Sequence, residues 1–99
     1  MIIHDPYLDF ETDIRDHLDR FEGRQYYGKT YVQDLTFEEA RSVYLMQRVK
    51  YNRSTENDKK YKVQTPQEVI DLFRMLNEEF PRTVNAERKI GLYIELKDW

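Results

Sequence analysis

From Lys89 to Trp99 the apolar residues alternate, with Ile90, Leu92, Ile94 and Leu96 on one side and Gly91, Tyr93, Glu95 and Lys97 on the other. A period of two is the period of a strand, and it predicts one over residues 89–97. Side chains two apart on a strand share a face roughly 6 to 7 Å apart, so Glu95 and Lys97 are expected to project together from its C-terminal end. Parallel α/β folds keep their chemistry at such ends. A shorter apolar run, Met1-Ile2-Ile3, reads as a strand that stops at His4-Asp5-Pro6, since proline cannot donate to a ladder. His4 and Asp5 are thereby placed at a second strand end.

Between the two runs the period lengthens. Thr65-Pro66-Gln67-Glu68 combines a capping threonine, proline at the first helical position and a glutamate that closes a capping box. Val69, Ile70, Phe73, Leu76 and Phe80 follow at helical spacing, which predicts a helix over residues 65–80 that stops at Pro81. A similar box at Thr36 and Glu39 predicts a helix from Phe37 to Arg48, with Phe37, Ala40, Val43, Tyr44 and Met46 as its apolar side. Tyr7 to Phe21 has mixed spacing and reads as an irregular loop with one helical turn. Gly23 and Gly28 bracket a turn, and the polar stretch Arg53–Lys62 reads as a surface loop. Strand, connection, helix and strand in this order predict one right-handed parallel crossover, with an insertion at residues 6–64 ahead of its helix.

Composition narrows the class without naming a chemistry. Ninety-nine residues allow one small domain and are too few for a closed α/β barrel, which needs about 200 or more. The chain is 39% hydrophobic and 35% charged, so it has the anchors of a globular core. Sixteen basic and 19 acidic residues are interspersed to a net charge of −3, which argues against nucleic acid as a partner and against an anionic membrane surface. With no cysteine, disulfides and thiolate metal sites are excluded, and any metal must be held by oxygen or histidine. No apolar run approaches the roughly 18 residues of a membrane span, and the first residues lack the basic-then-apolar layout of a secretion signal.

Four stretches in order carry a resemblance. They are His4-Asp5-Pro6-Tyr7-Leu8-Asp9 with Thr12-Asp13, then Asp34-Leu35-Thr36-Phe37-Glu38-Glu39, then Thr65-Pro66-Gln67-Glu68-Val69-Ile70, and last Arg88-Lys89-Ile90-Gly91-Leu92-Tyr93-Ile94-Glu95-Leu96-Lys97. Together they resemble the glycerophosphodiester phosphodiesterase family, in its long-insertion type. The resemblance implies an α/β fold that is a fragment of a (β/α)8 TIM barrel, with two parallel strands, an insertion loop and two main helices, the barrel not closed. It implies hydrolysis of a glycerophosphodiester to glycerol 3-phosphate and an alcohol with a divalent cation, calcium or magnesium. On this basis His4 resembles the second of the family's two catalytic histidines, Glu95 a metal-ligand carboxylate and Lys97 a phosphate-contacting cation, with Asp5 a further candidate. The physics suits those roles: a hard oxygen ligand for a hard cation, an imidazole that exchanges protons near neutral pH, and an ammonium that offsets charge at phosphorus.

The sequence also departs from the family. The His-Arg and Glu-x-Asp that supply the first histidine and two metal ligands have no counterpart in these 99 residues, nor has the part of the family's domain that follows the Glu-x-Lys strand. Phe10-Glu11 stands where the family has Arg and Thr or Val, and Ile94 where proline is common, at positions outside the family's chemistry. These departures imply a chain inactive on its own. A second expectation, from another class, is a non-catalytic α/β interaction module that associates, with itself included, through exposed strands.

Overall fold

A computed structural model describes residues 1–79 and 90–97 of the chain. It divides into two compact units, Met1–Val63 and Gln64–Trp99.

In the first unit local turn chemistry builds a hairpin. Strand β1, Gln25–Tyr26, pairs antiparallel with β2, Lys29–Thr30, with Gln25 opposite Thr30 and Tyr26 opposite Lys29. The two residues between them, Tyr27 and Gly28, both have positive φ, at 48° and 72°. That is the backbone a two-residue hairpin turn of matching twist demands, and glycine supplies its half without steric cost. Ahead of the hairpin lies a 3-10 helix, Ile14–Phe21, broken at His17 by a φ of −128°. The loop expected from Tyr7 to Phe21 thus carries more helix than one turn.

Helix α1 is Phe37–Arg41. Its capping box forms as expected: Glu39 N–H donates to Thr36 Oγ1 at 3.1 Å, and Thr36 N–H to Glu39 Oε2 at 2.8 Å. Arg24 adds a two-pronged ion pair to the same carboxylate. The Thr36 backbone N–H, then the Arg24 charge, hold Glu39 below its usual carboxylate range against partial desolvation. The helix was expected to run to Arg48 and stops seven residues earlier. Ser42 turns back on Glu39 O with both its backbone N–H and its hydroxyl, at 3.1 and 2.6 Å, and the chain then leaves to pair elsewhere. Leu45 bridges Thr12 in antiparallel sense, Met46 N–H donates to Glu11 O at 2.8 Å, and Leu45 N–H donates to Tyr61 O at 2.6 Å. Tertiary pairing has overridden helical spacing here.

Leu8, Ile14, Phe21, Ala40, Val43 and Val63 form the core of this unit, with Met1, Ile3, Val32, Leu35 and Leu45 packed against it. Each comes from a different segment or turn, so the core staples loops together. Buried polar groups complete the job. Thr12 Oγ1 donates to Leu8 O at 2.7 Å and accepts from Ile14 N–H at 3.2 Å, and Asp9 Oδ2 accepts from Thr30 N–H at 2.7 Å.

In the second unit α2, Pro66–Glu79, starts at the predicted box: Glu68 N–H donates to Thr65 Oγ1 at 3.1 Å, and Thr65 N–H to Glu68 Oε1 at 3.2 Å. Val69, Ile70, Phe73 and Leu76 are half-buried, as the stripe requires, and no residue of α2 is fully buried. The expected stop at Phe80-Pro81 lies outside the described residues.

The fold expectation needs correction. Among the described residues the one sheet is the two-stranded antiparallel hairpin, and there are no parallel strands, no crossover and no barrel. Met1–Ile3 forms no strand, and residues 90–97 belong to none. A short apolar run becomes a strand only where a neighbour supplies a ladder. Instead the side chain of Asn77 takes the place of a neighbour at Ile90: Ile90 N–H donates to Asn77 Oδ1 at 2.7 Å, and Asn77 Nδ2 donates to Ile90 O at 3.0 Å. What remains of the expectation is an α/β chain with two main helices.

Candidate functional site

Of the four residues singled out in the sequence, His4 and Asp5 lie in the first unit and Glu95 and Lys97 in the second. The structure brings each pair together. His4 Nδ1 lies 2.8 Å from Asp5 Oδ1, a contact in which the ring N–H donates. The imidazole is exposed while the Asp5 carboxyl is mostly buried, so Asp5 fixes the ring and solvent reaches it. Lys97 Nζ lies 3.0 Å from Glu95 Oε1, and a surface pair of this kind adds about 0–1 kcal/mol.

Two residues that sequence reasoning passed over complete the first cluster. Arg48 Nη1 donates to both oxygens of Asp5, at 3.2 and 3.4 Å, and lies 3.9 Å from Glu11 Oε1. The hydrogen bond from His4, and after it the Arg48 charge, hold the Asp5 carboxyl below its ordinary range, against a partial burial that pushes it up. Nothing local in the sequence announces Arg48. It stands 43 residues from Asp5 and arrives because backbone bonds of Leu45 and Met46 lay that stretch along Glu11 and Thr12. Glu11, one of the departures from the family pattern, thereby joins the cluster.

Could these groups hold the divalent cation that the resemblance implies? Ligand atoms of His4, Asp5 and Glu11 lie within 4.8 Å of one another, which is compact enough to share an ion. The cation's place is already taken, however, since Arg48 bridges the two carboxylates. Glu95, the ligand expected from the family, is engaged by Lys97. Calcium prefers six to eight oxygens and magnesium a near-ideal octahedron, and neither donor set supplies that uncompensated. As arranged, the described residues do not fit the ion.

A cleft of about 220 Å³ opens beside this cluster, and Arg48 forms part of its wall. Its charged lining sets Asp9, Asp13 and Asp16 against Arg15, Arg48 and Lys50, three of each sign, so it offers no field selective for anions or cations. No helix among the described residues is long and apolar enough to cross a membrane.

Comparison with known proteins adds nothing to this geometry: no family model, no curated protein and no solved structure matches the chain.

Proposed function

We propose that this chain carries part of the catalytic apparatus of a phosphoric diester hydrolase of the glycerophosphodiester phosphodiesterase type. What supports the reading is the order of the motifs: His4-Asp5, Thr12-Asp13, the Thr65 helix start and Glu95-Leu96-Lys97 follow one another along the chain in an arrangement that resembles that family's. The reading rests on these side chains and not on a barrel.

In this account His4 is the proton-transfer group. Asp5 orients its Nδ1 side, and among the described residues Nε2 makes no hydrogen bond, which leaves it to exchange a proton with the attacking water or the departing glycerol or alcohol oxygen. Lys97 offsets charge that builds on the phosphoryl oxygens. Glu95 is the one family metal ligand these residues retain, and no step is routed through the ion. With the first histidine and the Glu-x-Asp pair absent from the 99 residues, the chain by itself is expected to be inactive. Losing one general acid or base typically costs 10²- to 10⁴-fold, and losing the metal removes several kcal/mol more.

Glycerol 3-phosphate release from glycerophosphocholine, with calcium or magnesium present, tests this. No release by the 99-residue chain is expected. Release that His4→Ala, Glu95→Gln and Lys97→Ala each abolish would show a site complete in this chain, and release indifferent to all three would sink the assignment.

One observation favours a second reading, a non-catalytic interaction module. Ile90, Leu92, Tyr93, Ile94 and Leu96 are all exposed, and none belongs to a strand. Exposed apolar side chains this close together in sequence favour association. Sedimentation across a concentration series decides: self-association that Leu92→Asp and Ile94→Asp remove supports the module, and a monomer at all concentrations counts against it.

A further inference from the structure

We infer that Arg48 is a built-in counter-cation that closes the His4–Asp5–Glu11 cluster to divalent metal. The inference rests on the geometry of four side chains and not on the phosphodiesterase reading, so the two fail separately. Three ligand atoms lie within 4.8 Å of one another, close enough to meet one ion, and the two carboxylates among them are donors a divalent ion such as manganese accepts. The guanidinium stands between the two acids that would bind such an ion, 3.2 Å from one and 3.9 Å from the other. A metal entering there would sit within a few Å of a permanent positive charge and would have to displace it.

The placement of Arg48 is built from the backbone. The Thr12–Leu45 bridge and the bond from Met46 N–H to Glu11 O align its stretch with Glu11, and Gln47 N–H is anchored on Asp58 Oδ1 at 2.6 Å. Its side chain, half exposed, has Asp5 and Glu11 as its acidic neighbours, so replacing it leaves the core of Leu8, Ile14 and Val43 untouched. At short range like charges repel, and surface exposure with salt weakens the repulsion. Removing Arg48 should therefore strengthen metal binding by about tenfold at low ionic strength.

The experiment is titration of the full 99-residue chain with Mn²⁺, read as loss of the free-ion electron paramagnetic resonance signal. Four proteins are compared: unaltered, Arg48→Gln, Arg48→Lys and Arg48→Gln with Asp5→Asn. The Gln variant should gain one site at least about tenfold tighter than any in the unaltered chain. The Lys variant, which keeps the charge, should stay as weak as the unaltered chain, and Asp5→Asn should abolish the gain. The unaltered chain supplies a second measure that needs no variant: Mn²⁺ should leave the His4 ring resonances unbroadened at concentrations that populate the Gln variant's site. The inference is overturned by Asp5-dependent binding of Mn²⁺ to the unaltered chain as tight as to the Gln variant, by no gain in the Gln variant, or by a gain that survives Asp5→Asn.

Discussion

Asp13 and Tyr44 hold each other twice, Asp13 N–H donating to Tyr44 O at 2.9 Å and Tyr44 N–H donating to Asp13 Oδ1 at 2.8 Å. The second bond satisfies a backbone donor that no helix serves, because α1 has already ended. Asp13→Ala leaves that part-buried N–H without its acceptor, at a cost of about 1–3 kcal/mol. Asp13→Asn, which keeps an acceptor in place, should cost less. Denaturant unfolding of both variants checks the difference, and equal stabilities would contradict it.

Ile14 is fully buried in a core of six residues. Ile14→Val should cost about 0.5–1.5 kcal/mol and Ile14→Ala about 2–5 kcal/mol. In so small a domain the larger loss should abolish cooperative melting of the first unit. A sharp thermal transition retained by Ile14→Ala would show that the core lies elsewhere.

Asp5 should titrate below an ordinary aspartate, chiefly because of His4 and next because of Arg48. A carboxyl whose folded pKa is depressed contributes stability that is fully present above its unfolded pKa and is lost as pH falls through the folded one. The carboxyl carbon resonance of Asp5, followed by NMR from neutral to acid pH, gives the midpoint directly. His4→Ala should move that midpoint up, and Arg48→Gln should move it up by less. An unchanged midpoint in both variants would refute the pairing.

Asn77 imitates a strand neighbour for Ile90, and its removal should be felt at that one amide. Hydrogen exchange at Ile90 N–H should quicken in Asn77→Ala, by the factor expected for losing a bond worth about 0.5–1.5 kcal/mol. An Ile90 amide already unprotected in the unaltered chain would contradict the arrangement.

How much was legible in the sequence follows from which forces are local. Both capping boxes were, because Thr36 with Glu39 and Thr65 with Glu68 act within four residues. A turn near Gly28 was, because glycine marks positive φ, but strand β1 at Gln25–Tyr26, inside the stretch read as a turn, was not. The end of α1 at Arg41 was not, since it is set by pairing of Leu45 with Thr12 and Tyr61 across long stretches of chain. Alternation from Ile90 to Leu96 reports a capacity to be a strand, and capacity is realised only beside a ladder partner, which the described residues do not provide. At the site, the contact of His4 with Asp5 follows from adjacency, and the one between Arg48 and Asp5 could come only from the fold.

The proposed assignment gives His4, Glu95 and Lys97 the proton-transfer, metal-binding and phosphate-binding roles of the glycerophosphodiester phosphodiesterase family that their motifs resemble. Its most direct test places residues 4–97 of this chain in an active member of that family, in exchange for the matching segment from the second histidine to the Glu-x-Lys. Glycerol 3-phosphate release from glycerophosphocholine is then measured. The account predicts turnover that falls 10²- to 10⁴-fold with His4→Ala and is also strongly reduced by Glu95→Gln and Lys97→Ala. A folded exchange protein without turnover, or one whose turnover ignores all three changes, would contradict it.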